Sequence, residues 1–211
     1  MAMKKSSVEQ IFKLLNDTIQ NPKSELDYVN HFQLLIAVIL SAQTTDIAVN
    51  KATKSLFKKV ITPESMLKLG EEKLKSQIKS IGLYNNKAKN IIKCCLRLIE
   101  EFNSMVPNDR KDLESLPGVG SKTAGVVLNI AFKKETIPVD THVFRVSNRI
   151  GLVRTKTPDQ TEAKLLKIVP DWAKIKAHHL LILHGRYTCK AKKPLCETCV
   201  INQYCQFKSK T

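Results

Sequence analysis

Apolar residues recur at three- and four-residue intervals through most of this chain, and no stretch alternates long enough to build a strand. Val8, Ile11, Phe12, Leu15 and Ile19 keep that spacing. So do Ala88, Ile91, Ile92, Cys95, Ile99 and Phe102, and near the end Trp172, Ile175, His179 and Ile182. Helices with this period must bury one face against other helices, so the expected class is all-α with short connections. Gly70, Gly82, Gly118, Gly120 and Gly151 stand where helices should stop, and Pro22, Pro63, Pro107, Pro138 and Pro158 punctuate the segments between. With 211 residues, 43 % of them apolar, there is chain enough for one large domain or two small ones. Such a composition excludes an intrinsically disordered chain. The longest apolar run, Leu34 to Leu40, is far short of the roughly 20 residues that cross a bilayer. No apolar signal segment follows Lys4 and Lys5. The expectation is a soluble, cytoplasmic protein without a membrane partner and, since no oligomer seam is evident, a monomer.

Charge narrows the partner. The chain has 35 Lys and Arg against 19 Asp and Glu, a net +16. A surplus of that size suits a polyphosphate such as nucleic acid, because neutralising phosphates releases condensed counterions. The plainer alternative is a lysine-rich chain whose lysines are only solvated. Charge by itself specifies no chemistry.

Six cysteines divide into two groups. Cys94 and Cys95 lie within an apolar helical stripe and read as small core residues. Cys189, Cys196, Cys199 and Cys205 crowd the last part of the chain with six, two and five residues between them. In an intracellular protein such a group points to a metal centre rather than to disulfides. Zinc sites more often use two Cys-x2-Cys knuckles, whereas here there is one close pair and uneven spacing. Spacing leans towards iron–sulfur, with zinc as the alternative. The basic segment Lys190–Leu195 reads as a loop contacting phosphate, or else as a solvated turn.

Leu116-Pro117-Gly118-Val119-Gly120 lies between a short helix near Arg110–Glu114 and a longer one from Ser121 to about Ala131. Two glycines one residue apart allow a tight turn and a close approach of the main chain to another molecule. The helix that follows offers unpaired N–H groups and a partial positive charge, which suit a phosphate oxygen. This is the pattern of a helix-hairpin-helix element, which grips nucleic-acid backbone without reading bases. A packed Pro-Gly turn is the alternative.

Lys122 follows in the first turn of that helix, where the dipole disfavours a cation. It reads either as a phosphate contact or as a nucleophile. An amine attacks only when neutral, and desolvation beneath a nucleotide would help it shed its proton. Asp140 opens a helix over 141–150. It reads as an N-cap, or as a carboxylate that takes the amine's proton or stabilises positive charge on a sugar carbon. His142, Arg145 and Arg149 share one side of that helix and are expected to face phosphates.

Taken together, Leu116–Ala124, Val139–Val146 and the four-cysteine tail resemble the endonuclease III family in order and separation, over about Glu25–Cys205. These are bifunctional DNA glycosylases and abasic-site lyases of the helix-hairpin-helix superfamily. Ser121 departs from the Arg that many members have there. The resemblance implies a two-lobed helix-hairpin-helix glycosylase fold. One lobe would span about 25–134. The other would join 1–24 to 135–211 and hold a four-iron, four-sulfur cluster on Cys189, Cys196, Cys199 and Cys205, with the cleft between them carrying Lys122 and Asp140. It implies removal of oxidised pyrimidines from duplex DNA, with Lys122 as Schiff-base nucleophile and Asp140 as the essential carboxylate, in a bacterial cytoplasm. It further implies that Leu116, Gly118, Val119 and Gly120 bind DNA, that Gln43 enters the gap left by the extruded base, and that Leu83 wedges the opposite strand. Without the resemblance, Ser41–Asp46 reads as an ordinary helix junction capped by Thr44 or Thr45. Two rivals differ in kind. An adenine-excising mismatch glycosylase would lack the lysine and add a further domain after the cysteines. A DNA-binding module with zinc would cut nothing.

Overall fold

The computed structural model describes residues Met3–Phe207. Among them the chain forms eleven α-helices and two short 3-10 turns, and no strand. The helices are α1 (Lys5–Thr18), α2 (His31–Ser41), α3 (Asp46–Thr53), α4 (Pro63–Leu69), α5 (Glu71–Ile78), α6 (Tyr84–Phe102), α7 (Arg110–Ser115), α8 (Ser121–Phe132), α9 (Thr141–Arg149), α10 (Pro158–Ile168) and α11 (Lys174–Tyr187). No helix of the described residues is long and apolar enough to cross a membrane.

The chain divides into two compact units, Glu25–Phe132 and Met1–Ser24 with Lys133–Thr211. The break falls two residues before position 135. Helix α8 ends at Phe132, and Lys133 turns the chain with φ of +54°.

In the Glu25–Phe132 unit, α2 is apolar all round from Leu34 to Leu40. Every residue from Phe32 to Leu40 is buried, as befits a helix enclosed by others, here α3, α6 and α8. Each large side chain so covered contributes about 1.5–3 kcal/mol. Asn30 starts the helix by accepting the Gln33 N–H at 2.8 Å. Helix α6 buries Ala88, Ile91, Cys94, Cys95 and Leu98 on one face. The two cysteines are fully buried there as core residues, and burial pushes the Cys94 thiol up to about 12.

The other unit packs α11 against α9 and α1. Its core includes Ile11, Phe12, Leu15, Val143, Val146, Leu180 and Leu181. The apolar spacing near the chain's end misled at two positions. Trp172 sits in the 3-10 turn Asp171–Ala173, ahead of α11, and both it and Ile175 are exposed. The buried face of α11 is carried by Ala177, His178, Leu180, Leu181 and His184.

Candidate nucleic-acid interface and cluster loop

Helices α7 and α8 meet through the turn Leu116–Gly120. The Val119 N–H donates to the Leu116 carbonyl at 3.1 Å, and the Ala124 N–H closes the first turn of α8 on the Gly120 carbonyl at 2.9 Å. Gly118 has φ of +85°, and a Cβ there would meet the Asn90 Cβ at 3.1 Å. A side chain is therefore disfavoured twice, by backbone conformation and by a tight approach to Asn90. Gly120 has open space around its Cα. Leu116 and Val119 are buried, so their side chains anchor the turn in the core and any contact they make outward is through the main chain. Gly118, Gly120, Ser121 and Lys122 are exposed. Lys122 thus stands in the first turn of α8, beside a main chain stripped of side chains.

Asp140 lies in the other unit, as the N-cap of α9, where its Oδ1 accepts the Val143 N–H at 2.8 Å. The segment leading to it is pinned from α11. Pro138 and Val139 are buried, and the His178 Nδ1 meets the Pro138 carbonyl oxygen at 2.8 Å. One carboxylate oxygen thus fixes the helix start, and the second has no part in that bond.

The expectation that Arg145 and Arg149 face phosphate is not met. Arg145 donates to the Gly185 carbonyl at 2.9 Å and the Cys189 carbonyl at 3.2 Å. Arg149 donates to the Lys190 carbonyl at 2.6 Å and the Ala191 carbonyl at 3.1 Å. The physical reason is that the Cys189–Cys205 segment is irregular. Its carbonyls lack helical partners, and a guanidinium fork satisfies two at once. Lys190, Ala191, Lys192 and Lys193 are exposed on the loop that these arginines hold.

No disulfide joins any of the six cysteines. Cys189, Cys196, Cys199 and Cys205 line one pocket, together with His184, Arg149 and Pro194. Burial pushes the Cys189 thiol up from its ordinary value, opposed by the Arg149 guanidinium 3.8 Å from its sulfur. Among the described residues no three His, Cys, Asp or Glu side chains converge closely enough for a single metal ion. Zinc would draw four thiolates to about 2.3 Å from one centre. A donor set of four cysteine thiols without a carboxylate is the set that holds an iron–sulfur cluster.

Gln43 and Leu83 share a backbone peculiarity. Neither is glycine, yet Gln43 has φ of +55° and Leu83 +59°. For such residues the left-handed region costs about 1–2 kcal/mol. Gln43 is exposed between α2 and α3, and Leu83 is 61 % exposed as the N-cap of α6. The junction capped by Thr45 is present too, since Thr45 accepts the Ala48 N–H at 3.3 Å.

Sequence reasoning missed Lys87. It falls on the buried stripe of α6, one turn before Ile91, and is 7 % exposed. A lysine on an apolar stripe was the available signal. His178 was passed over because its carbonyl partner lies forty residues away.

Comparison with known proteins defines the class first. The family model of the HhH-GPD superfamily base excision DNA repair proteins matches residues 36–171, and that of the iron–sulfur binding domain of endonuclease III matches residues 189–205. The fold and the cysteine loop are those of a base excision repair protein of the helix-hairpin-helix superfamily. Endonuclease III of Rickettsia conorii is 57 % identical, covering 97 % of this chain and 98 % of its own. Endonuclease III of Escherichia coli K12 is 53 % identical over 99 % of both. A solved structure of a trapped endonuclease III–DNA covalent intermediate superposes with a TM-score of 0.91 at 44 % identity, covering 97 % of this chain and 96 % of that one. The chain belongs to the endonuclease III family. Its cysteine loop accordingly binds a four-iron, four-sulfur cluster rather than zinc.

Proposed function

We propose that this protein is a DNA glycosylase and abasic-site lyase in which Lys122 is the nucleophile and Asp140 the essential carboxylate. Its substrate is duplex DNA carrying an oxidised pyrimidine. The observation that carries the reading is the exposed amine of Lys122 in the first turn of α8, immediately after the bare main chain of Gly118 and Gly120. A hairpin that grips phosphate through N–H groups sets a nucleophile two residues beyond its second glycine.

The damaged nucleotide leaves the stack. Gln43 pairs with the base left behind and Leu83 wedges the opposite strand. Lys122 Nζ bonds to the sugar's anomeric carbon, and the bond from that carbon to the base breaks, the base departing with a proton. The Asp140 carboxylate takes the proton that the amine sheds and offsets positive charge on the sugar. Ring opening gives an imine on Lys122. Loss of a C2′ proton then expels the 3′ phosphate, and hydrolysis frees the lysine. Cys189, Cys196, Cys199 and Cys205 would hold the iron–sulfur cluster, which supplies a rigid cross-link for the loop. The exposed lysines at positions 190, 192 and 193 contact phosphate from that loop. The protein works as a monomer in the cytoplasm, on DNA.

The test is a duplex with one 5,6-dihydrouracil. The wild type releases the base and nicks the strand. Lys122→Gln is expected to do neither while binding the same duplex within about threefold of wild type, since one phosphate contact at most is lost. Nicking by Lys122→Gln would contradict the assignment.

A further inference from the structure

The two strained residues assigned to DNA insertion are held by one residue. Lys87 lies buried on α6, and its ammonium donates three hydrogen bonds, to the Leu40 carbonyl at 2.9 Å, the Ala42 carbonyl at 2.6 Å and the Thr44 Oγ1 at 3.0 Å. An ammonium has three donors, and here each finds an oxygen. Two of those acceptors, Ala42 and Thr44, flank Gln43 directly. The third, Leu40, lies near the carbonyl end of α2, where a helix leaves acceptors unpaired and favours a cation. At its main chain, the same residue donates its N–H to the Leu83 carbonyl at 3.0 Å, the first hydrogen bond of α6. Lys87 therefore grips the residues on both sides of Gln43 with its side chain and grips Leu83 with its backbone. A buried ammonium is costly unless fully bonded, and an apolar residue on this stripe would fill the same space without that cost. What the lysine adds is the tie between two turns that sequence places forty residues apart.

We propose that Lys87 is the positioning residue for lesion extrusion, fixing the Gln43 turn relative to the Leu83 turn so that both enter the duplex as one unit. This rests on the insertion roles given to Gln43 and Leu83 above. Without Lys87 either turn can still form, but their spacing relaxes, and small misplacements of inserting groups slow a reaction severely.

The experiment uses the cluster-bound protein and a duplex in which 2-aminopurine adjoins a 5,6-dihydrouracil, so that fluorescence rises when the lesion leaves the stack. Lys87→Met is expected to slow single-turnover base excision by about tenfold or more and to suppress the fluorescence rise. Borohydride trapping at an abasic site facing a second abasic position should stay at the wild-type level, because no base is there to extrude or to pair. Adding Gln43→Ala to Lys87→Met should cost less than about twofold more, as expected of residues acting through one another. If Lys87→Met does not fold, Thr44→Val removes one half-buried acceptor and should lower excision and fluorescence together by about threefold. Wild-type excision and fluorescence in the folded variants would overturn the proposal, as would an equal fall in excision and trapping. Should Gln43→Ala and Leu83→Ala themselves match wild type in both readouts, the insertion roles fail, which is a result distinct from failure of Lys87 alone.

Discussion

Asp140 has an observed role as a cap and a proposed one in the chemistry, and a single substitution separates them. Its Oδ1 caps α9 by accepting the Val143 N–H, and serine caps a helix about as well as aspartate. Asp140→Ser is therefore expected to melt within about 0.5 kcal/mol of wild type, while base excision falls by two orders of magnitude or more, on the order of the loss of a general base. Full turnover by Asp140→Ser would reduce the residue to a cap. The positions of Lys122 in the first turn of α8 and of Asp140 at the N-cap of α9 were legible in the sequence because each is anchored to a local pattern, a hairpin and a helix start. Lys87, Arg145, Arg149 and His178 were illegible or misread for the opposite reason. Each bonds main-chain oxygens tens of residues away, and no local rule says which distant carbonyls lack partners.

Elements offer a sharper contrast in the hairpin. Gly118→Ala forces a left-handed alanine against the Asn90 Cβ and should cost about 1–3 kcal/mol of stability in thermal or denaturant melting. Gly120→Ala meets nothing within 4 Å and has no positive φ. It is expected to leave melting unchanged yet weaken binding to duplex DNA, because its Cβ fills the space where phosphate approaches the main chain. Unchanged DNA affinity in Gly120→Ala would remove that turn from the interface. The helices themselves were legible, since the stripes of α1 and α6 are long and regular. Trp172 and Ile175 fit the same period but stay exposed, because the chain turns at the 3-10 segment before α11 begins. A period specifies a face only once the helix start is known.

At the scale of the whole molecule, a buried histidine makes stability depend on pH. Burial, reinforced by nearby His178, Lys133 and Arg186, holds His179 down to about 3 from an ordinary 6.5. The unfolded chain thus binds a proton that the folded one refuses between those values. The stability from this group is complete above about pH 6.5 and is lost as pH falls towards 3. His179→Gln should flatten the fall in melting temperature between pH 7 and pH 4.5, and an unchanged slope would assign acid sensitivity elsewhere. The two buried cores follow the two compact units, and the helical stripes alone could not say that α1 shares a core with α11. That pairing depends on which face meets which across the whole length of the chain, and the family likeness implied only that residues 1–24 join 135–211.

Imine formation at Lys122 is the claim on which the account stands. The direct measurement is borohydride reduction during reaction with a duplex containing 5,6-dihydrouracil or an abasic site, followed by peptide mapping of the cross-linked protein. The account predicts a covalent protein–DNA adduct carried by Lys122 and absent from Lys122→Gln. An adduct on another lysine, or none with the cluster-bound wild type, would contradict it.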